Sequence, residues 1–442
     1  MAQHEIDNLA FTAVFGDERA KADARKEIHL RARRSGAVSS SIYPLYSAFG
    51  RNEVRSGFTV PAFNIRALTY DSARALFRAA MRNKVGPFIF EIARSEIGYT
   101  EQRPAEYAAC VLAAALREGY KGPVFIQGDH FQASAKKWAT EEGRKSEIKA
   151  LESLIDEAIA AEFYNIDIDT STLVDLSHTT RDEQQRNNYE NTAHLTKYIR
   201  ERQPTGIEIS VGGEIGEVGK YNTQPDEVRA YMDGLRRLLG GQAGISKISV
   251  QTGTSHGGVP LPDGSIAQAK IDFNVLREVT EIGRKEYGIA GSVQHGASTL
   301  PESVFNKFPE SNAVEIHLAT GFQNMVLDAP TFPADMKQEI RDFCFANAAD
   351  ERKAGETDEQ FVYKTRKKAL GPFKKRMWDM PDSAKQPIIA ELEAKFEFLM
   401  EKLGVFDTTD VVTRHVKPVD AKYAAASEAL TAAAVVDPNE GE

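Results

Sequence analysis

The stretch PVFIQGDHFQ, residues 123–132, runs five residues of buried-strand character straight into an acid and an imidazole, Asp129 and His130. Such an ending makes sense when the strand serves to deliver side chains as well as to bury itself. In a barrel of alternating strands and helices, the C-terminal ends of the strands share one face, and active sites are built there.

The neighbouring sequence supports that setting. Seven more short strand candidates flank this one: FTVPAF (58–63), PFIFEI (87–92), FYNIDI (163–168), IEISVG (207–212), SKISV (246–250), GSVQ (291–294) and AVEIHL (313–318). Between them lie stretches of helical periodicity, among them DSARALFRAAM, EYAACVLAAALREG and PDEVRAYMDGLRRLL, with apolar residues recurring every three or four positions. Apolar strands alternating with helices suit a parallel sheet covered on both faces. Eight βα units over about 260 residues predict a (β/α)8 TIM barrel. An open doubly wound sheet is the rival, and no GxGxxG turn follows the first strand.

The barrel is expected over 56–330. Residues 1–55 are polar, carry the basic patch RKEIHLRARR, and read as a helical N-terminal extension with few strand signals. Residues 331–419 turn helical and read as C-terminal helices packed on the barrel or at a subunit contact. The Ala-rich, acidic 420–442 read as a mobile tail.

Bulk properties narrow the function. The 442 residues are 42% hydrophobic and 27% charged, as in a water-soluble globular protein, and the formal net charge of −9 argues against a general nucleic-acid binder. Two cysteines, Cys110 and Cys344, give no disulfide framework and point to a reducing compartment. No signal-type run and no membrane-length apolar stretch is present, so the expected location is the cytoplasm, with no membrane partner.

Four of the nine histidines sit at or just past strand ends: His130, His256 in QTGTSHGG, His295 in SVQHGAST and His317 in EIHLATG. Any one of them alone reads as a satisfied loop histidine. His130, His256 and His295 together, following the third, sixth and seventh strand candidates, match three imidazoles around the open position of a catalytic zinc. Glycines in GTSHGG and QHGAST allow close backbone approach to an anion, though ordinary turn chemistry explains them as well. Glu214, Glu217 and Asp175 follow the fifth and fourth strand candidates, where acids bind a cation, move protons, or simply cap helices.

At this point the chain resembles a class II, zinc-dependent fructose-bisphosphate aldolase. The likeness rests on VPAFN, GDH, LVDLS with ENTAHLTKYI, GEIG, GTSHGG, QHGAST and NTQPDEV, in this order across roughly residues 56–410. The resemblance implies reversible cleavage of a ketose 1-phosphate or 1,6-bisphosphate into dihydroxyacetone phosphate and an aldehyde. It implies zinc on His130, His256 and His295, with Asp175 and Glu214 at an alternative metal position. Asp129 would exchange the proton of the C4 hydroxyl. Gly257, Gly296, Ala297, Ser298 and Thr320 would bind the phosphate, beside a monovalent cation, K+ or Na+. The family further implies a homodimer or homotetramer.

Departures from the family pattern are concentrated around the substrate. The long loop that holds the family's general base is cut to EVGKYN, leaving Glu217 as the candidate base. HLAT stands where the family has NIDT, so His317 replaces a substrate-contacting asparagine and Ala319 an aspartate. Ala93 stands at a serine position, and Met380 near a family arginine. These changes keep open a divergent aldolase for another sugar phosphate, and a non-catalytic sugar-phosphate-binding barrel or partner subunit. A metal-dependent hydrolase on the same fold ranks last.

Overall fold

The computed structural model describes residues 3–54, 57–215, 221–253 and 271–419. The strands are β1 (Ala37–Ser39), β2 (Val60–Asn64), β3 (Ile89–Ala93), β4 (Gly122–Gln132), β5 (Asn165–Asp169), β6 (Ser210–Glu214), β7 (Lys247–Val250), β8 (Ser292–Gln294) and β9 (Glu315–Leu318). All pairings are parallel. β2 to β9 pair in sequence and β9 returns to β2, closing an eight-stranded barrel with helices between its strands. The expected TIM barrel is therefore the fold; the strand ends fall within three residues of the sequence reading, except that β4 runs five residues further, to Gln132.

One strand was not expected. β1, in the N-terminal extension, pairs with the first three residues of β4, Gly122 to Val124, before that strand enters the barrel. Behind it the chain closes the lower mouth. Asn165 donates to the Ser40 carbonyl at 3.2 Å and accepts from Ile42 N–H at 2.9 Å, and the Tyr46 hydroxyl donates to Glu315. The extension is otherwise helical, at Gln3–Phe15, Glu18–Ser35 and Tyr43–Gly50.

The helices after the barrel join the same body. Helix Asp382–Lys402 packs Phe396 against Phe63 of β2 and Phe322, with centroids 5.2 and 5.0 Å apart. Trp378 stacks on Tyr70 and meets Phe11 and Phe15 of the first helix edge-on. The 420–442 segment lies outside the described residues. Among the described residues, no helix is long and apolar enough to cross a membrane.

Strand alternation places apolar and charged side chains on opposite faces. In β3, Phe90 and Ile92 lie under the helices, while Glu91 points inward. In β5, Ile166 and Ile168 alternate with Asp167 and Asp169, and in β9 Ile316 alternates with Glu315 and His317. The barrel axis thus holds a charged layer, where the sequence reading expected strands apolar on both faces. Lys247 anchors it: its ammonium lies 2.8 Å from Asp167 and from the Gln127 side-chain oxygen, and also contacts Glu315. Burial alone would lower the Lys247 pKa, but Asp167 and Glu315 outweigh that and raise it.

Truncating Phe396 to Ala should lower unfolding stability by about 3–5 kcal/mol, because it empties a fully buried aromatic contact. Urea unfolding is the measurement. A loss near zero would mean that the C-terminal helix is not part of the cooperative unit.

Candidate metal and catalytic site

The delivery of Asp129 and His130 depends on a bulge. Along β4, Gly128 pairs with Ile166, but Phe131 pairs with Ile168, so β4 accommodates one extra residue there, with Asp129 and His130 opposite Asp167 alone. A Cβ on Gly128 would sit 2.5 Å from the Phe131 ring, which folds back over it. His130 adopts φ +40°, a left-handed conformation that a non-glycine residue holds only where its surroundings enforce it. The bulge turns both polar side chains toward the mouth.

There, His130 and His295 rings meet at 4.2 Å between centroids. Their Nε2 atoms lie 3.9 and 4.0 Å from Asp129 Oδ1. Behind them, His130 Nδ1 is 3.0 Å from Asp169 Oδ2 and 3.2 Å from Glu214 Oε2, which is also 3.6 Å from His295 Nδ1. Asp169 is fixed in turn by the Ser171 hydroxyl at 2.7 Å. A carboxylate behind each imidazole is the arrangement that orients metal-ligating histidines.

The sequence-derived residues fall into three groups. His130, His295, Asp129 and Glu214 come together as expected. Gly296, Ser298, Thr320 and His317 line the same cleft, while Ala297 is fully buried beside it. Gly296 sits at φ +67°, and Ser298 Oγ accepts from Gly321 N–H at 3.0 Å, tying this loop to the start of helix Thr320–Leu327. His256, Gly257 and Glu217 lie outside the described residues.

Asp175 is not brought to the site. The chain leaves the mouth at Asp169, and by residue 175 it is in an outer loop, where Asp175 accepts from Ser177 N–H at 3.0 Å with its side chain 47% exposed. Asp169 holds the position beside His130 instead. The reading missed it although strand alternation in NIDID carried the signal: the last inward residue of a barrel strand faces the mouth.

Two further residues escaped the sequence reading. Glu91 lies 3.1 Å from His317, which sits 3.1 Å from Asp129. Arg66 lines the cleft and is held by Glu96 at 2.5 Å.

Electrostatics separate the carboxylates. Burial pushes Asp129 up, but His130, His317 and His295 outweigh it and hold it well below the usual carboxylate range. Burial, together with the Asp169 charge, pushes Glu214 up to about 7 despite His130. Burial lowers His130, yet Asp129 and Glu214 raise it well above its ordinary value.

Residues 51–384 match the family model described as fructose-bisphosphate aldolase class-II. The chain belongs to that family. No curated protein matches the sequence. Among solved structures, the fructuronate-tagaturonate epimerase of Cohnella laeviribosi gives a TM-score of 0.56 at 12% identity, covering 80% of this chain and 83% of that one. A probable tagatose 6 phosphate kinase from Sinorhizobium meliloti gives 0.52 at 15%, covering 82% and 99%. A fructose-bisphosphate aldolase from Campylobacter jejuni gives 0.48 at 15%, covering 84% and 97%. At these identities the first two overlays show a shared fold and no shared activity.

Class-II aldolases use zinc, and the residues present suit it. Ligand atoms of Asp129, His130 and His295 lie within 4.8 Å of one another, as do those of His130, Asp169 and Glu214. Imidazole nitrogens with carboxylate oxygens are a donor set that zinc accepts.

The two aspartates of this region should behave differently. Asp169→Asn is expected to weaken zinc affinity about 10–100-fold by loosening His130, whereas Asp175→Asn leaves it unchanged. Competition against a chelator measures both, and equal effects would refute the assignment of Asp169.

Proposed function

We propose that the protein is a metal-dependent aldolase that reversibly cleaves a ketose 1-phosphate or 1,6-bisphosphate to dihydroxyacetone phosphate and an aldehyde. The observation that carries this reading is the convergence of Asp129 with His130 and His295 in one cleft with Gly296, Ser298 and Thr320. A nonspecific scaffold has no use for that combination.

His130 and His295, with His256 of the GTSHGG motif, are the residues to hold zinc. Bound there, zinc supplies the Lewis-acid charge that ketone cleavage requires. Asp129, kept ionised by the imidazoles around it, is ready to accept the C4 hydroxyl proton. As that O–H bond breaks, its electrons form the aldehyde C=O, and the C3–C4 pair passes to the dihydroxyacetone phosphate fragment. Condensation runs the same path backwards, with Asp129 returning the proton. Glu217 is the candidate to exchange the C3 proton. Gly296, Ser298 and Thr320 sit where backbone N–H and hydroxyl donors can hold the phosphate, alongside Gly257 and a monovalent cation.

The aldehyde half is where this chain parts from fructose 1,6-bisphosphate. Met380, near the family arginine's position, is a buried methionine and carries no charge, and the neighbouring Arg376 is ion-paired with Glu339. Arg66 is the cation that does line the cleft, neutralised by Glu96. This favours a ketose phosphate with a different second half. A homodimer or homotetramer in the cytoplasm, acting in carbohydrate metabolism, fits the same reading.

Chelation with EDTA should abolish condensation of dihydroxyacetone phosphate with a panel of aldehydes, and zinc should restore it. Asp129→Asn should cut kcat by about 10²–10⁴ without removing the metal. Full turnover by metal-free protein would sink the proposal. Metal-replete protein that fails to exchange tritium from labelled dihydroxyacetone phosphate would leave only a binding role.

A further inference from the structure

We propose that Glu91, Asp129 and His317 form a second divalent-cation site, sharing Asp129 with the His130–His295 site. Their ligand atoms lie within 4.8 Å of one another, and all three side chains are buried. His317 Nδ1 is 3.1 Å from Asp129 Oδ1 and 3.1 Å from Glu91 Oε2. Neither Glu91 nor His317 entered the aldolase reading as a metal ligand.

Three observations carry the site. Glu91 is fully buried and lines the cleft, yet its Oε1 has no hydrogen-bond partner; Oε2 is the engaged oxygen, with Gln127 and His317 each at 3.1 Å. A buried carboxylate oxygen without a donor is costly unless a cation meets it. Next, His317 is oriented as a metal ligand. Its Nε2 donates to Glu315 at 2.6 Å, and Glu315 is itself held by Lys247 and Tyr46. That bond turns Nδ1 toward the two carboxylates, as an outer carboxylate does for a ligating histidine. Last, acidic groups are concentrated here: six buried carboxylates, Glu91, Asp129, Asp167, Asp169, Glu214 and Glu315, share the barrel interior with Lys247, which pairs with Asp167 and Glu315. A cation beside Glu91 and Asp129 adds compensation that Lys247, engaged by the other two, does not give.

Two carboxylates and one imidazole make a harder donor set than the histidine-rich site, suited to Mn²⁺ or Zn²⁺. A shared carboxylate would place the two ions about 3.5–4 Å apart. Asp129 Oδ1 faces both positions, which leaves its other oxygen for proton exchange.

The test is metal stoichiometry on the full chain, stripped and then reloaded with Mn²⁺, read by elemental analysis and by electron paramagnetic resonance. The parent should hold two equivalents with a spin-coupled signal. Glu91→Gln and His317→Asn should each hold one equivalent with an uncoupled signal. A parent that saturates at one equivalent overturns the second site and leaves the aldolase reading standing, with a protonated His317 bridging the carboxylates instead. Two uncoupled equivalents, or coupling that survives both substitutions, overturn it equally. A parent that binds no metal removes the primary site as well. The parent's stoichiometry and coupling decide the question even if a variant fails to fold.

Discussion

The ammonium of Lys247 stands at the barrel axis among Asp167, Glu315 and Gln127, and the arrangement above it depends on that placement. Burying charge in this way is expensive, and each group is tolerable only because the next one compensates it. Lys247 holds Glu315 down to about 2 despite its burial. An ionised Glu315 then fixes His317, and His317 in turn fixes Asp129. Asp167, pushed up to about 6 by burial against the pull of Lys247, closes the layer on the other side. The chain of contacts runs from the plugged lower mouth, where Tyr46 reaches Glu315, to the mouth that holds Asp129 and His130. The N-terminal extension is therefore connected to the site through side chains, although its backbone remains at the opposite end.

The bulge in β4 completes this from the backbone side. A regular strand would send successive side chains to opposite faces, so Asp129 and His130 could not both face the mouth. The register shift after Gly128 and the left-handed φ of His130 remove that constraint. The cost of the strained residue is offset by Phe131, which is fully buried and closes over Gly128. The glycine of GDH is thus needed for packing: any side chain there would displace the aromatic ring that stabilises the bulge.

Much of this architecture was legible in the sequence, for identifiable reasons. Apolar runs separated by helical periodicity located all eight barrel strands, because the outward face of each strand must be apolar under its helix. The inward face was harder to read. Glu91, Asp167 and Lys247 alternate with hydrophobic neighbours inside short strands, and their compensation comes from other strands, so no local pattern announces it. Histidines beside glycines singled out His130 and His295, which the barrel brings to within 4.2 Å of each other. Asp175 was misplaced because the motif LVDLS drew attention away from Asp169, six residues earlier at the true strand end. β1 was missed because three residues that pair only with the entry of β4 carry no periodic signal.

The departures at His317, Ala93 and Ala319 lie together with Glu91 and Arg66 around one cleft. His317 and Glu91 face each other across Asp129, Arg66 is clamped by Glu96 and Asn64, and Ala93 and Ala319 leave room in the same cleft. Substituting one of these alone would disturb its neighbours: His317 also meets Asp129 and Glu315, and Arg66 also bonds Asn64, so the loss of Glu91 or Glu96 would be felt across the set. Such pairs constrain one another physically. The polar groups around Asp129 thus hold one another in place as a coordinated set. Asp129, His130, His295 and Glu214 remain together beside them.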